Sequence, residues 1–323
     1  MGQTFFITNW YWSFKTKIKM NKAPTVSVCM ITYGHENYIR QAIEGVLMQE
    51  CDFDIELIIA NDCSPDQTDF VIKDILEKHP KKSYVKYFKH DKNLGMMPNF
   101  AFALGQCKGE FIAVCEGDDY WTDSLKLQKQ VKFLRENNDY SICWTKYLIK
   151  QESITSSELK EPNWISLINC NENVTIDLNT IFTPYCTYTL TVLFRKDSFD
   201  TSFFAKLKHG KDNSLYLICL TKGKGLLMNF YSSIYRMHEG GIYSNASIFK
   251  QKYYSYLNLK EIIGEIKKCN NLNLTTIRNA LLIDSMKLYP KQLSLKYFSL
   301  IIDGFKFIGL KKTLKIILRK IKY

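Results

Sequence analysis

Glu116, Asp118 and Asp119 stand within four positions in "FIAVCEGDDYW" (residues 111–121), directly after the apolar run Phe111 to Val114. Three carboxyls so close repel one another, and a turn needs only one Asp to form. Such a group is expected either in a solvated acidic loop or around something cationic. Asp62 recurs in an equivalent place, after the apolar segment "IELIIAN". Hard oxygen ligands of this kind suit Mg2+ or Mn2+, which bridge a few carboxylates to phosphate oxygens. The recurrence favours a divalent cation with a phosphorylated ligand.

Strands must carry these acids to one place. "VSVCMITY", "IELIIAND", "YVKYFKH" and "EFIAVCEGDD" have the pattern of buried strands. "GHENYIRQAIEGVLMQ", "DFVIKDILEKH" and "MPNFAFALGQC" between them have helical spacing, with Ile39, Ala42, Ile43, Val46 and Leu47 on one face of the first. Alternating strands and helices predict a mostly parallel α/β sheet with helices on both faces. Ligands of such sheets bind beyond the carboxyl ends of the strands, so Asp62 and residues 116–119 should line one crevice. Further along, "YSICWTKYLIK", "YTLTVLFRK" and "GLLMNFYSSIYRMHEGG" are expected strands, and "KDNSLYLICLTKG" a helix. Residues 247–323 are helix-like. The expected division is an N-terminal extension (1–23), an α/β domain (24–246) and a helical, basic C-terminal region (247–323).

At 323 residues, with 46% hydrophobic and 14% aromatic content, the chain is an ordered globular protein rather than a disordered one. Its formal charge of +12 admits nucleic acid, anionic lipid or a phosphorylated ligand as partner. The ten cysteines show no C-x-x-C pair and no zinc spacing, and several sit in apolar runs, which points to a reducing cytoplasm. No apolar stretch approaches the roughly 20 residues of a membrane span.

Taken in order, "VSVCMITYGHENYIRQAIEGVLMQ", "IELIIANDCSPDQT" and "NLGMMPNFAFALGQCKGEFIAVCEGDDYW" closely resemble the family-2 glycosyltransferases of the GT-A fold. The resemblance runs from about Val26 to Tyr243. It implies a Rossmann-like GT-A sheet with a helical C-terminal extension, and sugar transfer from a nucleotide-sugar donor, UDP-linked by preference, with inversion at the anomeric carbon. It places Thr32, Tyr33 and Glu36 at the nucleotide, Asp62 at the base, and Asn93, Gly95 and Asn99 nearby. Glu116 falls at the ribose and Asp118 at an Mn2+ or Mg2+ ion. The chain departs from the family pattern at Ile31, Gly34, Asn61 and Glu116. Asp119 is expected either behind the metal or as the N-cap of the helix in "WTDSLKLQKQVKFL".

"GKDNSLYLICLTKGKG" resembles the family's later acid-plus-helix segment, which puts the general base on Asp212; helix capping is the competing role. "YRMHEGG" resembles a motif before the C-terminal elements, placing Arg236 at the diphosphate and His238 at the metal or phosphate. His35, His79, His90 and His209 show no partner in the sequence and are expected to face solvent.

From Gly304 onward the chain holds seven Lys or Arg and no acid. Phe307, Leu310, Leu314, Ile317 and Ile321 share a helical face there, with cations on the others. Two readings remain open: a helix lying in a membrane interface, or a core-packing helix with a solvated basic face. The expected partners are a nucleotide-sugar donor, a saccharide or lipid-linked acceptor of surface-polysaccharide synthesis and an anionic membrane, at the inner face of the plasma membrane. Nucleic acid is not among them, because the cations form no continuous stripe with interleaved aromatics. A nucleotidyltransferase would want a Gly-rich basic loop after the first strand, and "TYGHENY" is neither.

Overall fold

Alternation of buried side chains sets the layers of the sheet. In β1 (Val26–Thr32), Val26, Val28 and Met30 pack to one side and Cys29 to the other. In β2 (Ile55–Asn61), Leu57 and Ile59 likewise oppose Ile58 and Ala60. Each side is covered by helices, so both faces must be apolar. The computed structural model describes residues 23–152, 158–168, 171–240, 246–266, 272–289 and 294–321. The expected N-terminal extension lies almost wholly outside them.

Helices α1 (Ile39–Leu47), α2 (Thr68–Lys78) and α3 (Met96–Gln106) alternate with β1, β2, β3 (Val85–Lys89) and β4 (Phe111–Val114). Then follow β5 (Tyr120–Trp121), α4 (Lys126–Glu136), β6 (Tyr140–Gln151), β7 (Leu159–Lys160), β8 (Val174–Ile176) and β9 (Leu193–Arg195). Helices α5 (Thr201–Ala205) and α6 (Asp212–Leu220) precede the long β10 (Lys224–Met237). The sheet order is β3-β2-β1-β4-β9-β6-β10-β5, with β7 on β6 and β8 on β10. Strands β3, β2, β1 and β4 are mutually parallel; β9 is antiparallel to both β4 and β6, and β10 is parallel to β6. The carboxyl end of β10 therefore lies on the same edge as those of β1, β2 and β4. That edge gathers Thr32, Asp62, residues 116–119 and His238.

The expected strand in "YTLTVLFRK" is cut short. Thr189–Thr191 form a 3-10 turn and only Leu193–Arg195 join the sheet. The Leu190 carbonyl accepts Trp121 Nε1 (2.7 Å) and the Thr191 carbonyl accepts Gln130 Nε2 (2.9 Å). Carbonyls held by side chains are not available to a strand ladder.

Among the described residues, four helices, α7 (Ile248–Glu265), α8 (Leu272–Leu288), α9 (Leu295–Ile308) and α10 (Leu310–Ile321), follow β10 and pack around a cluster including Tyr256, Leu282, Met286, Leu300 and Ile316. The expected apolar face of the tail splits. Phe307 and Ile317 pack half-buried on that cluster, whereas Leu310 and Leu314 point outward. The side chain of Ile321 lies outside the described residues. A helix with two apolar sectors can do both, which a one-dimensional pattern does not distinguish.

Candidate active site

The turn after β4 is shaped by its glycine. Gly117 donates its N–H to the Ile31 carbonyl (2.9 Å), and a Cβ there would lie 2.7 Å from Thr32 Oγ1. The chain can turn this tightly against β1 only without a side chain. Glu116, Asp118 and Asp119 are thereby aimed in three directions.

Asp118 faces histidines. Its Oδ2 lies 3.2 Å from His238 Nε2 and 3.7 Å from His35 Nε2. Burial would raise its pKa, but the His238 hydrogen bond and the nearby His35 outweigh that and hold the carboxyl below its ordinary value. Asp119 is buried, where burial and then the charges of Asp118 and Glu116 push its pKa far up. It accepts the backbone N–H of Arg236 (2.8 Å) and caps no helix, so the capping expectation fails; Asp123 Oδ1 instead accepts the Leu125 N–H (2.9 Å) at the start of α4. Glu116 is pushed up to about 8 by burial, reinforced by Asp118 and Asp212, while Thr189 hydrogen-bonds it. One carboxylate is thus held charged between two that favour the neutral form, which is how three acids coexist in four positions.

Asp212 opens α6. Its Oδ1 accepts the Asn213 N–H (2.8 Å), and Tyr185 Oη lies 3.4 Å from Oδ2 and donates to Asn213 Oδ1 (2.7 Å). Lys211 occupies the cap position itself. Burial raises the Asp212 pKa above the usual carboxylate value.

The walls of the crevice are loops laced together. Glu36 N–H donates to Asp66 Oδ2 (3.0 Å) while Glu36 Oε2 accepts the Gln67 N–H (2.8 Å), joining the loops after β1 and β2. Asp62 Oδ1 and Oδ2 accept the N–H groups of Leu94 (2.7 Å) and Gly95 (2.9 Å), joining the loops after β2 and β3. Asn93 Oδ1 also accepts the Gly95 N–H (2.9 Å). Gly95 has φ +91°, a conformation that favours glycine. Thr32 is buried with Oγ1 3.2 Å from His35 Nδ1, and Tyr33 is exposed at the rim.

Two expected binding residues are engaged within the protein. Asn99 donates to the Ala60 carbonyl (3.0 Å) and its Oδ1 lies 2.9 Å from His90 Nε2. Arg236 Nη1 donates to the Asp118 carbonyl (2.8 Å), its Nε lies 3.0 Å from Glu152 Oε1, and Nη2 reaches Gln41. Its guanidinium sits 4.3 Å from the Tyr120 ring centroid. It braces the turn that carries Asp118.

Sequence reading missed His35 and His90, which were expected in solvent. His35 is 16% exposed and its pKa is lowered, chiefly by burial. His79 also has a partner, since its Nδ1 accepts the Lys81 N–H (3.0 Å). The signal for His35 was its place just past the end of β1, equivalent to that of Asp62 past β2. Nothing local flagged Tyr185, Gln41 or Glu152. Among the described residues, no group of three or more His, Cys, Asp or Glu is gathered as a metal cage.

Comparison with known proteins agrees with this architecture. The model for "Glycosyl transferase family 2" matches residues 27–203, more than half of the chain. An uncharacterized protein of Mycobacterium tuberculosis is 28% identical over 239 residues, 71% of this chain; the chain spans 63% of that relative's length. The Escherichia coli protein WfaP, described as a UDP-Glc:alpha-D-GlcNAc-diphosphoundecaprenol beta-1,3-glucosyltransferase, is 27% identical over 221 residues, 68% of this chain and 80% of its own. The crystal structure of S. aureus TarS 1–349 with UDP-GlcNAc superposes with a TM-score of 0.61 at 17% identity, covering 90% of this chain and 83% of that one. The fold is thus GT-A, with added C-terminal helices, and the chain belongs to glycosyl transferase family 2.

Proposed function

We propose that this protein is an inverting transferase that moves a sugar from a UDP-linked donor to a saccharide or lipid-linked acceptor in surface-polysaccharide synthesis. The observation that carries the reading is the gathering, past the carboxyl ends of the strands, of Asp118 against His238 (3.2 Å) and His35 (3.7 Å), with Asp62 held by the Leu94 and Gly95 amides at the same edge. The description of WfaP, with a UDP-sugar donor and a diphospholipid-linked acceptor, supports the donor and acceptor classes.

The donor set fits a hard divalent cation. Asp118 offers a carboxylate held ionised and His238 an imidazole, and these two side chains would hold the ion beside the diphosphate. Bound by Asp118 and His238, Mn2+ or Mg2+ would neutralise charge on the leaving diphosphate. Asp62, Thr32, Tyr33, Glu36, Asn93 and Glu116 frame the nucleotide in this reading, and Asn99 and Arg236 hold the loops that do so.

Asp212 is the base. Its raised pKa makes it a stronger proton acceptor, and Asn213 and Tyr185 fix its orientation. The acceptor oxygen forms the bond to the anomeric carbon as the bond to the diphosphate oxygen breaks. The hydroxyl proton goes to Asp212 and the electron pair leaves with the nucleoside diphosphate. With one base and no protein nucleophile the configuration inverts.

Asp212→Asn retains the size of the side chain and should lower transfer by about 10²–10⁴-fold, with binding of UDP and Mn2+ unchanged. Transfer at the native rate, or a product of retained configuration, would overturn the assignment. Full activity of the native protein in EDTA would remove the metal from it.

A further inference from the structure

We infer that α9 and α10 together form a docking surface for an anionic lipid bilayer. On α9, Leu295, Phe298, Ile302 and Phe305 recur along the face turned away from the helical cluster, and Leu295 and Ile302 are 89% and 65% exposed. On α10, Leu310, Leu314 and Leu318 follow at four-residue spacing, also outward. Side chains of this size are rarely left open in such a run unless a partner covers them. The helices are held closely: a Cβ on Gly304 of α9 would lie 2.9 Å from Thr313 Oγ1 of α10, and Ile316 anchors α10 in the cluster.

Charge selects the partner. Asp303 is the single acid after Asp284, and it is turned inward, where it accepts Lys260 Nζ (2.6 Å) and Tyr256 Oη (2.6 Å). Lys296, Lys306, Lys311, Lys312, Lys315 and Arg319 are all exposed. Among the described residues none of these six forms an ion pair with an acid. Leucines flanked by cations on the open half of a helix match an anionic interface, with acyl chains beneath and headgroups around. No described helix is long and apolar enough to cross a membrane, so this surface would lie on the bilayer. Nucleic acid would satisfy the cations and leave the leucines in water. This inference does not rest on the transferase reading.

The test is flotation of the full chain with vesicles of phosphatidylcholine, alone or mixed about three-to-one with phosphatidylglycerol, at low and high salt. The mixed vesicles should bind the protein and release much of it as salt rises. Replacing Lys311, Lys312 and Lys315 with Gln should lower partitioning on the order of 100-fold at low salt. Leu314→Gln with Leu318→Gln should lower it at least about 10-fold at either ionic strength. All five positions are exposed, and an unchanged melting temperature would show that the fold persists. Equal binding to both vesicle types, or binding unaffected by both variants, would overturn the inference. So would a concentration-dependent dimer abolished by the leucine variant, or tighter binding to single-stranded RNA than to mixed vesicles.

Discussion

The carboxyl edge of the sheet and the C-terminal helices both carry concentrated charge, and they treat it in opposite ways. At the edge, acids are drawn inward and each is met by a distant group: Asp118 by His238, Asp119 by the Arg236 backbone, Asp62 by the Leu94 and Gly95 amides. On α9 and α10, cations remain in water and the one acid is buried. Charge taken out of water is costly unless paired, so pairing fixes geometry at the edge. Charge left in water barely affects stability and determines what the surface can touch.

The contrast is most exposed to failure at Arg236. Arg236→Met removes the donor to the Asp118 carbonyl and the charge beside Glu152, and should destabilise the fold by about 3–5 kcal/mol in denaturant titration. A loss below about 1 kcal/mol would mean that the edge is not braced as described.

Lys126 sharpens it with the opposite sign. This lysine is fully buried at the start of α4, donating to Gln130 Oε1 (2.7 Å), and burial lowers its pKa to about 7. A base with a depressed folded pKa binds fewer protons folded than unfolded. Its penalty is therefore absent above its unfolded value near 10.5 and grows until pH falls to about 7. Lys126→Met should be more stable than the native protein by about 1–4 kcal/mol at pH 7, with the gap closing toward pH 10. Melting curves of both proteins across that range decide it, and a gap independent of pH would contradict the charge argument.

In the helical region, Asp303→Asn weakens the bonds from Lys260 and Tyr256 and should cost about 1–3 kcal/mol. The smallest effect is expected for Leu314→Gln, within about 0.5 kcal/mol by thermal denaturation, since Leu314 lies on the exposed face of α10. A larger loss would place Leu314 in the core.

Much of the fold was legible without coordinates. Strand and helix periods are local, so the alternation from β1 to β4, a helix within "KDNSLYLICLTKG" and the strand-end positions of Asp62 and Glu116 to Asp119 followed from neighbouring residues. So did the cationic excess of the tail. Legibility ended where an outcome depended on residues far apart in the chain. Asp118 meets His238 across 120 positions, and Arg236 reaches Gln41 across 195. Only those meetings decided that Asp118 alone of the three acids is held ionised, and that His35 leaves solvent. They also decided that Asn99 and Arg236 brace loops, and that Leu314 faces out while Ile317 packs. Periodicity is a property of the backbone and its nearest neighbours. Protonation and burial depend on the field and packing of the whole fold, which no short stretch contains.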